Sequence, residues 1–290
     1  MHPAPSVILF TVLSGLGFGL LAWLGIGRPD VTGGTAFAFY VIGYGLAVGG
    51  LLFSTLHLAN RKNAIKSFSQ WRTSWLSREA VLAVAALLAV APYAIGRIFF
   101  DTVWPALGVL GTLLCLATVA STAMIYTQLK TVPRWNTPVT PALFLAHALA
   151  GGALLAGQTS AAIWLLVLLG ALMLVAWIVG DARWGEAGSS METATGLGRF
   201  GRVRLLEPPH AGENYLLKEM AYRVGRKHAQ KLRVIAILLA VAVPFLLLAV
   251  LPFNHVLAAL AVLSHLAGAL AARWLFFAEA RHVQALYYGK

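Results

Sequence analysis

The sequence predicts an all-α, polytopic integral membrane helix bundle with eight transmembrane helices. Three observations carry this. Of 290 residues, 59% are hydrophobic and only 11% charged, with a mean hydropathy of +0.78. A soluble domain of that length needs far more charge on its surface. The apolar residues fall in blocks near the roughly 20 residues that a helix needs to cross a bilayer core. Gly, Ala and Ser recur within those blocks, which suits close helix–helix packing in lipid.

Eight blocks qualify, near 5–26, 35–58, 79–96, 105–128, 141–157, 161–180, 234–251 and 256–277. The fifth is the shortest. The first opens with Met1-His2-Pro3-Ala4-Pro5-Ser6 and lacks a basic segment or an Ala-x-Ala site, so it is expected to be a retained helix rather than a signal peptide. Residues 1–290 are expected to form a single membrane anchor domain with two large loops, 59–78 and 181–233.

Eight crossings put both termini on one side. Of the 22 Lys and Arg residues, only Arg28 and Arg97 then fall on the opposite side. Such a bias places the termini and both large loops in the cytoplasm. Opposite-side loops are short, at 27–34, 97–104, 158–160 and 252–255. Concentrating the extramembrane mass on one face suggests a docking surface. Within the long loop, 196–210 is turn-rich and basic. Residues 213–228 read as an amphipathic helix with Leu216, Leu217, Met220 and Val224 on its apolar stripe.

The net charge of +12 therefore serves topology. No zinc finger, phosphate loop or basic–aromatic repeat points to nucleic acid. The lone Cys115 excludes a disulfide framework and a cysteine-ligated zinc or iron–sulfur site within this chain. A secondary transporter is a remote alternative, since no internal repeat is evident and the polar groups gather at one face.

Polar residues at membrane depth are costly and are functional candidates. His57 stands in the last turn of the second block, in Ser54-Thr55-Leu56-His57-Leu58. Glu79 opens the third, in Trp75-Leu76-Ser77-Arg78-Glu79. Both belong at the basic-side boundary of adjacent antiparallel helices. A quinone headgroup needs hydrogen-bond partners at two oxygens and a source of two protons, and an imidazole with a carboxyl group can supply both. Glu79 could instead simply favour a helix N-terminus capped by Ser77.

His147 and His265 lie inside the fifth and eighth blocks and raise a b-type haem as an alternative. They sit about two and about three turns from the basic side, so packing and hydrogen bonding are the expected roles. Asp101 and Arg97 are expected to pair across a short loop, and Arg273 and Glu279 to sit at the interface. Nine Trp residues, among them Trp71, Trp104, Trp135, Trp184 and Trp274, are expected at span ends as an aromatic belt.

The elements Ser54-Thr55-Leu56-His57-Leu58 and Ser77-Arg78-Glu79, spaced 22 residues from histidine to glutamate, resemble the dimethyl sulfoxide reductase anchor subunit family. The resemblance covers the whole chain. It implies a three-part enzyme, with a molybdenum bis-pterin cofactor in the catalytic subunit and [4Fe-4S] clusters in the second. The anchor would hold no redox centre and would exchange electrons with a quinone, ubiquinone or menaquinone. His57 and Glu79 match the family's quinone-binding residues, and Arg78 and Trp75 would help shape that pocket.

The basic, cytoplasmic placement of the large loops is more similar to the membrane subunits of cytoplasmic sulfite dehydrogenases (quinone) in the same family, as is Leu205–Tyr215. In that reading the bacterial inner membrane holds the chain. Sulfite is oxidised in the cytoplasm and its electrons reach quinone. The alternative is a quinol-oxidising anchor feeding a dimethyl sulfoxide or N-oxide reductase.

Overall fold

The computed structural model describes residues 1–56, 61–207, 212, 214, 218–220, 228–252 and 254–288. His57 and most of 213–228, with its expected amphipathic helix, lie outside the described residues. Those described form helices and connecting turns, with no strand among them. The helices are α1 Pro5–Gly25, α2 Gly33–Leu56, α3 Trp75–Ile95, α4 Pro105–Thr127, α5 Val139–Leu155, α6 Thr159–Glu186, a short α7 Met191–Thr195, α8 Ala229–Ala249 and α9 His255–Ala278. Seven of the described helices are long and apolar enough to cross a membrane, whereas α5 has 17 residues. The sequence count of eight therefore rests on α5.

Several boundaries follow from local chemistry. Pro5 and Pro105 begin α1 and α4, where a missing N–H costs nothing. α3 starts at Trp75, a turn before the predicted 79, after extended Ser74. That earlier start brings Trp75 and Arg78 into the helix. Ser77 is buried within the first turn and is not the cap.

α1 is the hub. Of its hydrophobic window, 72% is buried, against 44% or less for each other long helix. It packs on α2, α4, α5 and α9, while α3 packs on α4, α6 on α5, and α8 on α9. At α1–α5 the backbones touch: a Cβ at Gly19 would lie 2.0 Å from the Ala148 carbonyl oxygen. Only glycine admits such an approach. Large apolar side chains such as Phe37, Leu52, Leu88, Trp164, Ile178 and Leu263 face outward, as lipid contact requires.

Ion pairs fasten both ends of the bundle. At one end Arg97 pairs with Asp30 rather than with Asp101. Asp101 closes the π turn Gly96–Phe100 in the left-handed conformation (φ 47°) and is exposed. At the other end Arg134 bridges Asp181 and Glu279, and Arg233 bridges the same two carboxylates, all at 2.7 Å. The Met1 ammonium donates to the Ala280 carbonyl at 2.6 Å, so the first and last helices meet there.

Two interface expectations are corrected. Arg273 is 6% exposed, because its guanidinium folds inward over the Phe144 ring, 3.5 Å from the centroid. Trp135 is also buried. It stacks on Phe276, donates its indole N–H to the Phe276 carbonyl at 2.8 Å, and helps enclose Tyr126 with Phe144 and Phe277.

Candidate functional site

Glu79 is the best-defined candidate. It faces inward from the second turn of α3 and is 4% exposed. Its carboxyl group accepts a hydrogen bond from Thr122 Oγ1 on α4. Thr122 also lies 3.1 Å from the Thr118 carbonyl. A carboxylate takes the threonine hydrogen for itself. A protonated carboxyl can donate to the threonine oxygen and leave that hydrogen to Thr118. Rotating one hydroxyl thus accommodates both protonation states without moving a helix.

Arg78 and Trp75 meet each other one turn away. The Arg78 guanidinium lies 4.3 Å from the Trp75 ring centroid and donates to the Trp71 and Arg72 carbonyls, at 3.1 and 2.7 Å. These contacts clamp the loop before α3. The chain enters that loop from α2 at Leu56, the residue before His57.

His147 and His265 face one another, with ring centroids 6.1 Å apart. They border an inner cavity of about 20 Å³ together with Thr122 and Arg273. A cavity of that size holds roughly one water. A porphyrin does not fit between the two rings in this packing.

The orientation of His265 originates in α8. Pro244 has no N–H, and its ring crowds the carbonyl four residues back, that of Ala240. The helix widens there into a π turn, Leu238–Ala242. Ser264 Oγ donates to the Leu239 carbonyl at 2.8 Å, and His265 Nδ1 lies 2.7 Å from the Ala240 carbonyl. A carbonyl only accepts, so Nδ1 carries the proton and Nε2 presents a lone pair to the cavity. Pro244→Ala restores the missing donor and should release His265 from this single tautomer. The imidazole ¹⁵N resonances would then move toward averaged values, and unchanged resonances would show that the proline does not set the ring.

Three side-chain nitrogens around the inner cavity are buried without a hydrogen-bond partner: His147 Nδ1, His265 Nε2 and Arg273 Nε. A middle cavity of about 50 Å³ shares His147 and Arg273 with it and extends to Arg134 and Glu279. An outer cavity of about 370 Å³ lies among Arg134, Asp181, Arg233 and Glu279.

Sequence reasoning missed Thr122 and the interior place of Arg273. A threonine within an apolar helix is common and signals nothing alone. Arg273 stands five residues before the end of α9, close enough to be read as interfacial. The four-residue ion cluster had a visible signal, because Arg134, Asp181, Arg233 and Glu279 all lie near span ends on the basic side.

Two comparisons with known proteins span the whole chain. The family model described as DMSO reductase anchor subunit (DmsC) matches residues 1–289. A sulfite dehydrogenase subunit from Allochromatium vinosum is 32% identical, over 99% of this chain and 99% of its own length. No solved structure matches the chain. An apolar helix bundle matched from end to end in this way belongs to the DMSO reductase anchor subunit (DmsC) family.

Proposed function

We propose that this multi-pass membrane anchor is the quinone-reactive subunit of a three-subunit molybdenum/iron–sulfur oxidoreductase. Sulfite and water give sulfate, two protons and two electrons at a catalytic subunit. The electrons pass through an iron–sulfur subunit, and a quinone takes them up with two protons at His57 and Glu79. The observation that carries this reading is the buried carboxyl group of Glu79, held by Thr122 near the end of the bundle where the basic residues gather. The name of the Allochromatium vinosum relative supports sulfite as the source of electrons.

In this reading α5 crosses with the seven longer helices, and both termini lie in the cytoplasm of a bacterium. The contact between Met1 and Ala280 supports an even number of crossings. The loops 59–78 and 181–233 form the docking face for the iron–sulfur subunit. The single cysteine of this chain leaves the [4Fe-4S] clusters and the molybdenum bis-pterin to the partners. The same anchor run in reverse would oxidise quinol for a sulfoxide or N-oxide reductase; the positive charge of the large loops supports a cytoplasmic docking face, and that placement is the reason for preferring sulfite.

Glu79→Gln preserves size and can still accept from Thr122, yet cannot exchange a proton. In the purified complex, Glu79→Gln and His57→Ala should each lower sulfite-dependent quinone reduction about 100-fold, while activity with an artificial electron acceptor persists. Full quinone activity in both variants would remove the site. A fluorescent protein fused at the C-terminus should fluoresce and a phosphatase should be inactive. The opposite pair of results would remove the cytoplasmic assignment.

A further inference from the structure

The interior of the bundle holds more polar chemistry than a quinone headgroup at Glu79 requires. Three cavities run in series, each sharing residues with the next. The outer one is walled by the ion cluster and meets solvent at Asp181, whose side chain is 51% exposed. The middle one shares Arg134 and Glu279 with the outer and shares His147 and Arg273 with the inner. The inner one ends at Thr122, whose hydroxyl bonds Glu79.

The partnerless nitrogens say what fills these spaces. His265 Nε2 offers a lone pair, and Arg273 Nε offers a hydrogen toward the same small volume. Leaving such groups unpaired in a membrane interior forfeits the hydrogen bonds they would make with water. An apolar guest would leave them unpaired, whereas a water that accepts from Arg273 and donates to His265 satisfies both. The middle cavity has room for more than one water.

We propose that these cavities form a hydrated passage along which protons travel between the basic end of the bundle and Glu79. Its use in quinone chemistry rests on the reading of Glu79 given above; its existence does not. Glu79 gives one of the two protons to the reduced quinone and is left as a carboxylate. A water in the inner cavity passes a proton to the Thr122 oxygen as the threonine hydrogen moves to Glu79. Each water then draws a proton from the next, and the last one comes from bulk solvent. The guanidinium of Arg273 repels a free hydronium ion, so the proton moves by exchange along hydrogen bonds toward the vacated carboxylate. The passage meets solvent at the outer cavity, beside the half-exposed Asp181, so protons are taken up from the side where the partners dock.

Hydroxyl-radical footprinting of the intact complex in ¹⁸O-water tests the passage itself. Phe144 and Phe18 are comparably buried, at 3% and 1% exposure, and only Phe144 lines the inner cavity. Phe144 should label at least about tenfold faster if water stands beside it. Equal labelling overturns the passage, whatever Glu79 does. Thr122→Val removes the last relay hydroxyl with little change of shape. It should lower quinone-coupled turnover at least about tenfold with the quinone KM unchanged, raise the solvent isotope effect, and be reversed by millimolar formate as a small proton carrier. Full turnover in Thr122→Val, or a loss that formate does not reverse, overturns the relay. Full turnover in Glu79→Gln would instead retire Glu79 as the quinone-side acid and leave the footprinting result standing.

Discussion

Gly152→Leu should abolish accumulation of the folded protein in the membrane. A Cβ at Gly152 would lie 2.4 Å from the Gly19 carbonyl carbon and 2.5 Å from its oxygen. Those atoms are backbone, so no rotamer change relieves the clash, and α1 and α5 must separate. Ordinary overpacking costs about 1–3 kcal/mol where side chains can give way, and here the cost exceeds that range. Separation would also open the interior, because His147 and Ala148 lie on the same stretch of α5 and line the inner cavity. Immunoblots of washed membranes and the melting temperature of the purified complex measure the effect. Gly152→Ala should already lower the melting temperature. Gly15→Ala is the control, since its Cβ meets nothing within 4 Å. A Gly152→Leu protein that accumulates and melts normally would show that the helices are not packed at backbone distance.

The second large effect concerns Glu279. Its carboxylate accepts from Arg233 Nε and Arg134 Nη2 at 2.7 Å each, and its side chain is 5% exposed. Removing it leaves two guanidinium groups close together with only the half-exposed Asp181 to balance them. Stripping one partner from a buried ion pair typically costs about 3–5 kcal/mol; partial access to water at the outer cavity puts Glu279→Leu near the lower figure. The four residues come from the loop before α5, the end of α6, the start of α8 and the residue after α9, so the loss loosens four segments at once. Arg134→Leu in the same chain should recover part of the stability, because it removes one of the stranded charges. A double-mutant cycle on melting temperature reads the coupling. Strict additivity of the two substitutions would show that the cluster does not act as a unit.

Much of this architecture was legible in the sequence, and the reasons are physical. Bilayer thickness fixes the length of a spanning helix, so apolar blocks reveal the order of the helices directly, while the count stands at seven long helices among the described residues and the 17-residue α5. Basic residues collect on one side, and the cluster of Arg134, Asp181, Arg233 and Glu279 joins residues assigned to one side by that rule. Glu79 was legible because a carboxyl group among apolar residues is expensive. Its partner was not, because the bond to Thr122 depends on the rotation of α4 against α3, which no local pattern encodes. Arg273 escaped for a similar reason: its position suggests the interface, but its long side chain turns inward to the Phe144 ring. Arg97 chose Asp30 over the nearer Asp101 because a π turn swung Asp101 away.

The hub position of α1 has a consequence for biogenesis. α1 emerges from the ribosome before every helix that will surround it, yet it ends with the least lipid contact. Between insertion and the arrival of α5 and α9 it must tolerate bare hydrocarbon on all sides. Its hydroxyl groups are suited to the wait: Thr11 donates to the Val7 carbonyl at 2.9 Å and Ser14 to the Phe10 carbonyl at 2.6 Å, both within their own helix. Neither needs a neighbour to be satisfied, so the helix can be stored in lipid and enclosed later. Its glycines then become the grooves into which late-arriving helices settle.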